Sequence, residues 1–194
     1  RKKTKHTQIS YLTDFERFGL KGIDRHHYLM ITKRLIDIAA CNPSLKIFLN
    51  GNPISFRTFK DYASRYVTPI FYEQSEHWKI GIGHSTTGFK AISFVNSVET
   101  KDGGTHVNDI DWQITSFLRE KIKRKYRVDV KPSELRQHLY LFINCTIINP
   151  AFSSQTKEKL ITSPKDFGTK HVLSDKVLRQ VLNSEIIQSV LDWV

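Results

Sequence analysis

Cysteines and long hydrophobic runs are both scarce in this sequence. Its two cysteines, Cys41 and Cys145, stand among apolar residues, so we expect buried free thiols in a reducing compartment rather than a disulfide framework. No apolar stretch approaches the roughly 20 residues needed to span a bilayer. The basic residues 1–6 are not followed by the apolar core of a signal peptide. We therefore expect no membrane-spanning segment and no signal peptide.

Acidic residues are also few relative to basic ones. The 194 residues include 30 lysines and arginines against 19 aspartates and glutamates, which gives a formal net charge of +11. Such an excess favours a polyanionic partner, either nucleic acid or an acidic membrane surface. The sequence does not begin with Met and starts in the middle of a pattern, so we expect a piece of a longer protein.

Periodicity in the first third predicts a strand, a helix and a hairpin. Residues 7–18 alternate loosely and are interpreted as a strand that runs into a loop. Asp24 is a plausible N-cap for the helix that follows. Asn50-Gly51 predicts a hairpin turn, since both positions must adopt positive φ.

The remaining chain predicts strands followed by helices. Three antiparallel strands are expected at 70–74, 78–84 and 89–96, with a plain hairpin loop between the last two. Thr105 and Ser174 are each expected to cap a helix. Asp109 and Asp111 lie two apart on the first of these helices and do not face each other, so they make a weak acid–base or metal site.

A polar loop follows the most apolar strand of the sequence. The strand predicted at 139–148 ends at Asn149-Pro150, because proline cannot donate to a sheet ladder. The loop then carries Gln155, Thr156 and Lys157. Amide, hydroxyl and ammonium donors at the end of a rigid strand suit an anion. An ordinary solvated loop is the alternative.

The end of the helix after Thr105 is crowded with positive charge. Its apolar positions stop at Ile122, and only Glu120 offsets the basic residues there. A solvated helix end favoured by the helix dipole is one interpretation, and contact with a phosphate backbone is the other. The candidate DNA-binding residues are Lys121, Lys123, Arg124, Lys125 and Arg127.

Residues 149–160, NPAFSSQTKEKL, resemble the loop that closes the transducer domain of type II DNA topoisomerases. The ATPase part of these enzymes belongs to the GHKL group with gyrase B, a heat-shock chaperone and the mismatch-repair ATPases. Residues 37–39 (DIA), 49–51 (LNG) and 103–106 (GGTH) are similar to further segments of the same family. The sequences of residues 48–51 and 154–158 are closer to those of the eukaryotic and phage enzymes than to that of bacterial gyrase.

The resemblance implies an α/β (α+β) fold in two domains. Residues 1–66 would be the C-terminal part of a GHKL ATPase sandwich. Residues 67–194 would be a transducer domain with the ribosomal-protein-like fold of the second domain of gyrase B. That domain is expected to have a four-stranded sheet, helices on one face and a left-handed βαβ crossover, against the usual rule.

The resemblance also implies roles for particular residues. Gln155 and Lys157 would reach the γ-phosphate of ATP in the adjacent ATPase domain and couple hydrolysis to the passage of double-stranded DNA. The basic residues at the helix end would line the cavity that holds the transported duplex. The intact enzyme would be a homodimer that includes the ATPase N-terminus and the cleavage domains or subunits. It would have no membrane partner and would lie inside the cell with DNA, in the nucleus or in a host cytoplasm.

Several motifs of the family's chemistry are not recognisable in this sequence. The general-base Glu, the Mg²⁺-holding Asn, the adenine-reading Asp, the glycine-rich lid and the DNA-attacking Tyr are all missing. We therefore expect no catalytic residue and no metal ligand here, and ATP and Mg²⁺ to bind only in the full-length protein. The isolated chain is expected to be inactive.

Two other hypotheses remain open. The chain could belong to another GHKL ATPase of the mismatch-repair or chaperone type, although the QTKE wording and the basic helix end disfavour it. It could instead be a non-enzymatic nucleic-acid-binding module, because ribosomal and RNA-processing proteins share the transducer fold.

Overall fold

The computed structural model describes residues 5–193, and these form two compact units, 5–34 and 35–193. The first four residues of the predicted basic segment 1–6 lie outside the described part of the chain. In the first unit, residues 5–15 contain no strand, and a 3₁₀ turn follows at Glu16–Phe18. The strand predicted at 7–18 is therefore wrong. Loose alternation does not make a strand where no neighbouring strand takes up its backbone hydrogen bonds.

The first helix, α1 (Arg25–Cys41), starts where its capping residue predicts. The Asp24 carboxylate accepts a hydrogen bond from the His27 backbone N–H at 2.8 Å, which satisfies one of the free donors of the first turn. The predicted hairpin is also confirmed. Strands β1 (Ile47–Leu49) and β2 (Asn52–Ile54) pair across Asn50 and Gly51, whose φ angles are 50° and 79°.

Among the described residues, the rest of the second unit is built from one sheet, five α-helices and a 3₁₀ turn at Pro164–Asp166. The strands are β3 (Phe71–Gln74), β4 (Trp78–His84), β5 (Lys90–Val95), β6 (Val98–Glu99) and β7 (Leu139–Cys145). The helices are α2 (Phe59–Ala63), α3 (Thr105–Tyr126), α4 (Pro132–Gln137), α5 (Asp175–Leu182) and α6 (Glu185–Trp193). The mixed α/β class is confirmed.

Strand β7 lies in the middle of the sheet, whose order is β3-β4-β7-β5-β6. It is antiparallel to β4 and parallel to β5. Strands β4 and β5 are therefore not neighbours, and the hairpin predicted between them is wrong. A nearly continuous apolar run such as 139–145 is typical of a strand that is paired on both sides and covered on both faces.

Helices from two parts of the chain cover the two faces of this sheet. The larger core joins the sheet to α3, α5 and α6 and includes Ile82, Ile114 and Leu141. On the opposite face, Ala40 from the end of α1 and Tyr62 from α2 share a second buried cluster with sheet residues. Both of these helices precede residue 67, so among residues 67–193 the helices lie on one face of the sheet, as predicted.

The sheet has five strands rather than the four predicted, because the two-residue β6 pairs with the end of β5. The parallel strands β5 and β7 are joined through α3 and α4, which makes a βαβ crossover. Its left-handedness stays a prediction. No helix in the range 5–193 is long and apolar enough to cross a membrane.

Candidate functional site

The polar loop after β7 is closed at its base by backbone hydrogen bonds. Phe152 and Leu160 form an antiparallel bridge. The Ser153 N–H donates to the Lys159 carbonyl at 3.0 Å, and the Ile161 N–H donates to the Ala151 carbonyl at 2.9 Å. The loop is thus a short, closed excursion from the core rather than a free segment.

The tip of this loop is a tight turn that exposes the two predicted phosphate-binding side chains. The Lys157 N–H donates to the Ser154 carbonyl at 3.1 Å, and Lys157 has a φ of 61°. Gln155, Thr156 and Lys157 are all exposed. The structure therefore brings the amide and the ammonium group to the same turn.

Neither of these two side chains has a carboxylate partner in the described part of the chain. The Lys157 ammonium lies 5.9 Å from the centroid of the Phe152 ring, near the outer limit of a cation–π contact. The Thr156 hydroxyl, predicted as a third donor, is instead 2.8 Å from the Ser154 hydroxyl. The tip thus offers one charge and one amide to an anion.

The base of the loop is attached to the start of α3, a contact that the sequence did not reveal. The Leu160 N–H donates to the Gly103 carbonyl at 3.1 Å, and the Thr105 N–H donates to the Leu160 carbonyl at 3.2 Å. The Asp102 N–H also donates to the Glu158 carbonyl at 2.9 Å. The paired glycines were the available signal, since they permit a close approach of two backbones.

The cap predicted at Thr105 is wrong. Gly104 is the N-cap of α3, and Thr105 is its first helical residue. The Thr105 hydroxyl is buried without a hydrogen-bond partner among the described residues. The Thr105 N–H bonds outside the helix, to the loop, so the helix start is satisfied by the polar loop rather than by a side chain.

His106, in the same motif, is a buried structural residue. Its ring Nε2 lies 3.1 Å from the Thr100 hydroxyl, which is itself 2.6 Å from the Ser93 hydroxyl. Burial lowers the pKa of His106 to about 4, because charging an imidazole away from water is unfavourable. The ring is therefore neutral at physiological pH and ties α3 to the edge of the sheet.

The predicted DNA-binding residues lie on the last turns of α3 and just beyond it. Lys123, Arg124, Lys125 and Arg127 are exposed and Lys121 is half-buried. The helix ends at Tyr126, and Arg127 follows with a φ of 63°. Cations at this end of a helix are favoured by its dipole.

Ion pairs divide this basic group into two kinds of cation. Arg124 pairs with Glu120 at 2.9 Å, and Lys123 lies 3.8 Å from Asp129. Arg119 donates two hydrogen bonds to Asp129, at 3.0 and 3.3 Å, and these lower the pKa of that carboxyl. Asp129 was missed because it follows the helix and reaches it only through the turn at Arg127.

The unpaired cations are those best able to meet a phosphate. Lys121 and Lys125 lie 5.2 and 5.0 Å from the ring centroids of Phe117 and Tyr126. Within residues 5–193, neither these lysines nor Arg127 has a carboxylate partner. The three are free to exchange water for phosphate oxygens without breaking an ion pair.

The two aspartates of α3 have separate partners. Asp111 is buried, and its Oδ2 lies 3.5 Å from the Arg136 guanidinium. Burial raises the pKa of this carboxyl. Asp109 accepts a hydrogen bond from Gln113 at 3.0 Å. No group of three or more His, Cys, Asp or Glu residues that could hold a metal occurs among the described residues.

Comparison with known proteins identifies the family to which this chain is similar in sequence and fold. The DNA gyrase B family model matches residues 55–194. The chain is 35% identical over 203 residues to DNA topoisomerase 2 of Drosophila melanogaster, covering 98% of this chain and 14% of that protein. The chain spans between 12% and 16% of the length of such relatives.

Two solved structures resemble the chain in both sequence and fold. The ATPase region of Saccharomyces cerevisiae topoisomerase II superposes with a TM-score of 0.85 at 34% identity, over 93% of this chain and 48% of that one. The ATPase and transducer domains of DNA topoisomerase II from Balamuthia mandrillaris give a TM-score of 0.80 at 40% identity, over 84% and 43%. The fold is therefore that of a gyrase-B-like GHKL ATPase region. The chain belongs to the type II DNA topoisomerase family.

Proposed function

We propose that this chain is the transducer segment of an ATP-dependent type II DNA topoisomerase and couples ATP binding and hydrolysis to the passage of one duplex through another. The observation that carries this proposal is the loop tip, where Lys157 and Gln155 are exposed and have no carboxylate partner among the described residues. The domain organisation that goes with it is the end of the ATPase domain at 1–66 and the transducer domain at 67–194.

In the mechanism we infer, the loop tip senses a terminal phosphate. Lys157 supplies a point charge and Gln155 a hydrogen bond to the γ-phosphate that bound ATP provides. Lys157 gives up at most a weak contact with Phe152, since the two are 5.9 Å apart. An exposed cation–π contact is worth about 0.5–1 kcal/mol, against about 1.5–3 kcal/mol for a hydrogen bond to a charged group.

The same two contacts supply the coupling. A ligand shifts a conformational equilibrium only by the difference in its affinity for the two states. Lys157 and Gln155 hold the loop against the ATPase domain only while a γ-phosphate is present. Release of that phosphate therefore frees the transducer to rotate as a rigid body. Mg²⁺ is expected in the full-length protein, with its ligands outside the residues described here.

The basic end of α3 is proposed to contact the transported double-stranded DNA. Lys121, Lys125 and Arg127 are the cations without a carboxylate partner in the described range, and we assign them the main phosphate contacts. Lys123 and Arg124 would contribute after releasing their own carboxylates. The intact enzyme is proposed to be a homodimer that acts where the cell keeps its DNA.

Lys157→Ala in the full-length enzyme tests the phosphate-sensing role. We expect affinity for a non-hydrolysable ATP analogue to fall by about 10- to 100-fold, the equivalent of about 1.5–3 kcal/mol. Affinity for ADP should stay within about twofold of wild type, because ADP lacks the group that the ammonium contacts. ATP-driven strand passage should fall while DNA cleavage stays nearly intact.

Lys159→Ala is the matched control, since Lys159 is exposed on the same loop and lies two residues further along. It should leave both nucleotide affinities unchanged. Equal losses of ADP and analogue binding in Lys157→Ala, or equal losses of cleavage and passage, would contradict the proposed role.

The unpaired cations of α3 also favour a second candidate function, a non-enzymatic nucleic-acid-binding module. Such a module would bind duplex DNA in a salt-dependent way. It would differ from the coupling role in showing no response to non-hydrolysable ATP analogues in the full-length protein.

A further inference from the structure

We propose that Gly104 is a positioning residue, which fixes the height and direction of the loop tip by letting the backbone at Leu160 lie against the start of α3. This inference rests on the proposed function of Gln155 and Lys157. It assigns to Gly104 a role in nucleotide sensing, and not only in starting a helix.

The contact is between two backbones, with no side chain to absorb a change. Gly104 and Leu160 form a parallel bridge, flanked by the hydrogen bonds of Gly103 and Thr105 to Leu160. A Cβ on Gly104 would meet the carbonyl oxygen of Leu160 and would lie 2.6 Å from its nitrogen and 2.9 Å from its Cα. Carbon atoms do not approach backbone atoms this closely, so the two segments would have to separate.

Leu160 cannot relieve the clash by moving into the protein. Its side chain is 0% exposed and belongs to the larger core, where close packing resists displacement. The tip residue Lys157 lies only three residues before Leu160, and Glu158 between them is held by Asp102. Separation of the two backbones therefore moves the tip.

The neighbouring glycine offers a natural control. Both glycines have a positive φ, 137° at Gly104 and 65° at Gly103, so alanine is strained at either position. A Cβ on Gly103, however, would meet only Val107 side-chain atoms at 3.5 and 3.7 Å, an ordinary contact. Gly103→Ala thus adds the same methyl group and some backbone strain without touching the loop.

Thr105 offers a second route to the same contact. It is the first residue of α3, a position at which proline is well tolerated. Thr105→Pro removes the N–H that donates to the Leu160 carbonyl, and the hydroxyl lost with it has no partner among the described residues. Thr105→Ala keeps the N–H and is its control.

The test measures, in the full-length enzyme, the ratio of the ADP dissociation constant to that of a non-hydrolysable ATP analogue. We expect Gly104→Ala to lower this ratio, by up to the roughly 100-fold expected for complete loss of the Lys157 contact. Thr105→Pro should lower it less, in the same direction. Gly103→Ala and Thr105→Ala should stay within about twofold of wild type.

The controls separate this inference from the function on which it rests. An unchanged ratio in Gly104→Ala and Thr105→Pro, with a lowered ratio in Lys157→Ala, overturns the positioning role and leaves phosphate sensing standing. An unchanged ratio in Lys157→Ala overturns phosphate sensing itself. Equal effects in both glycine variants mean general damage to the helix start and also overturn the inference. If Gly104→Ala loses ADP binding and DNA cleavage because it fails to fold, the comparison of Thr105→Pro with Thr105→Ala decides.

Discussion

The ion pairs at the end of α3 predict that equal losses of charge will have unequal effects on DNA binding. The double variant Lys121→Gln/Lys125→Gln removes two cations without a carboxylate partner in the described part of the chain. The double variant Lys123→Gln/Arg124→Gln also removes two cations, but both of these lie near carboxylates. Any difference between the two variants therefore reports pairing and not net charge.

The magnitude follows from counterion release. Each phosphate neutralised by a cation contributes about 0.9 to the slope of log affinity against log salt. Removing the two unpaired lysines should therefore reduce the magnitude of that slope by about 1.8, which makes binding less dependent on salt. A cation that meets a phosphate only after leaving its carboxylate contributes less, so the second variant should lower the slope by less than about 1.

The assay is the affinity of the 194-residue chain for a short duplex, measured by fluorescence anisotropy at several salt concentrations. Glu120→Gln is the reciprocal variant, since it releases Arg124 from its 2.9 Å ion pair. It should raise the slope by up to about 0.9. Identical slopes for the two double variants would refute the reasoning, because net charge alone would then explain binding.

Two further predictions concern stability and use chemical unfolding of the same chain. The unfolded chain binds a proton at His106 near pH 6.5, whereas the folded chain does so only near the lowered pKa of about 4. The free energy of unfolding should therefore fall by about 3 kcal/mol as the pH drops from 6.5 to 4. His106→Gln should remove that part of the pH dependence. Ile114→Ala, at a fully buried position, should lower the free energy of unfolding by about 2–5 kcal/mol. Ile9→Ala, where the side chain is 83% exposed, should change it by less than about 0.5 kcal/mol. Equal losses of stability would contradict the assignment of the core.

Apart from the cap at Thr105, the capping residues and the tight turn that depend only on neighbours in the sequence were predicted correctly. Asp24 and Ser174 each accept a hydrogen bond from the backbone three residues later, so the signal and the structure share one turn of chain. Asn50-Gly51 fixes its hairpin in the same local way. Such features need no knowledge of the rest of the fold.

Features that depend on pairing between distant segments of the chain were not predicted correctly. Strand β7 enters the sheet between β4 and β5, although it follows β5 by more than 40 residues. The strand pattern indicates that these segments pair but carries no information on which ones do. The bridge between Gly104 and Leu160 was missed for the same reason, and so was the part of the site that holds the loop in place.

The candidate site itself was predicted through resemblance more than through physical chemistry. Three polar donors on a loop are compatible with any anion or with none, and only the similarity of residues 149–160 to a known loop singled out Gln155 and Lys157. The structure adds that the third donor, Thr156, is occupied by Ser154. For the basic residues, it adds the carboxylates that make some of them less available than others.

Helix α3 links the two halves of the proposed mechanism, and its packing limits how they can communicate. It starts at the contact with Leu160 and ends in the basic group, 22 residues or about 33 Å later. Ile110, Ile114 and Leu118 bury one side of it in the larger core, so the helix moves with the sheet or not at all. Release of the loop tip can therefore reach the cations proposed to contact DNA only if the sheet and α3 turn together. Flexing of the loop alone would leave Lys121 and Lys125 where they are. We therefore expect the attachment at Gly104 to affect coupling as well as nucleotide binding.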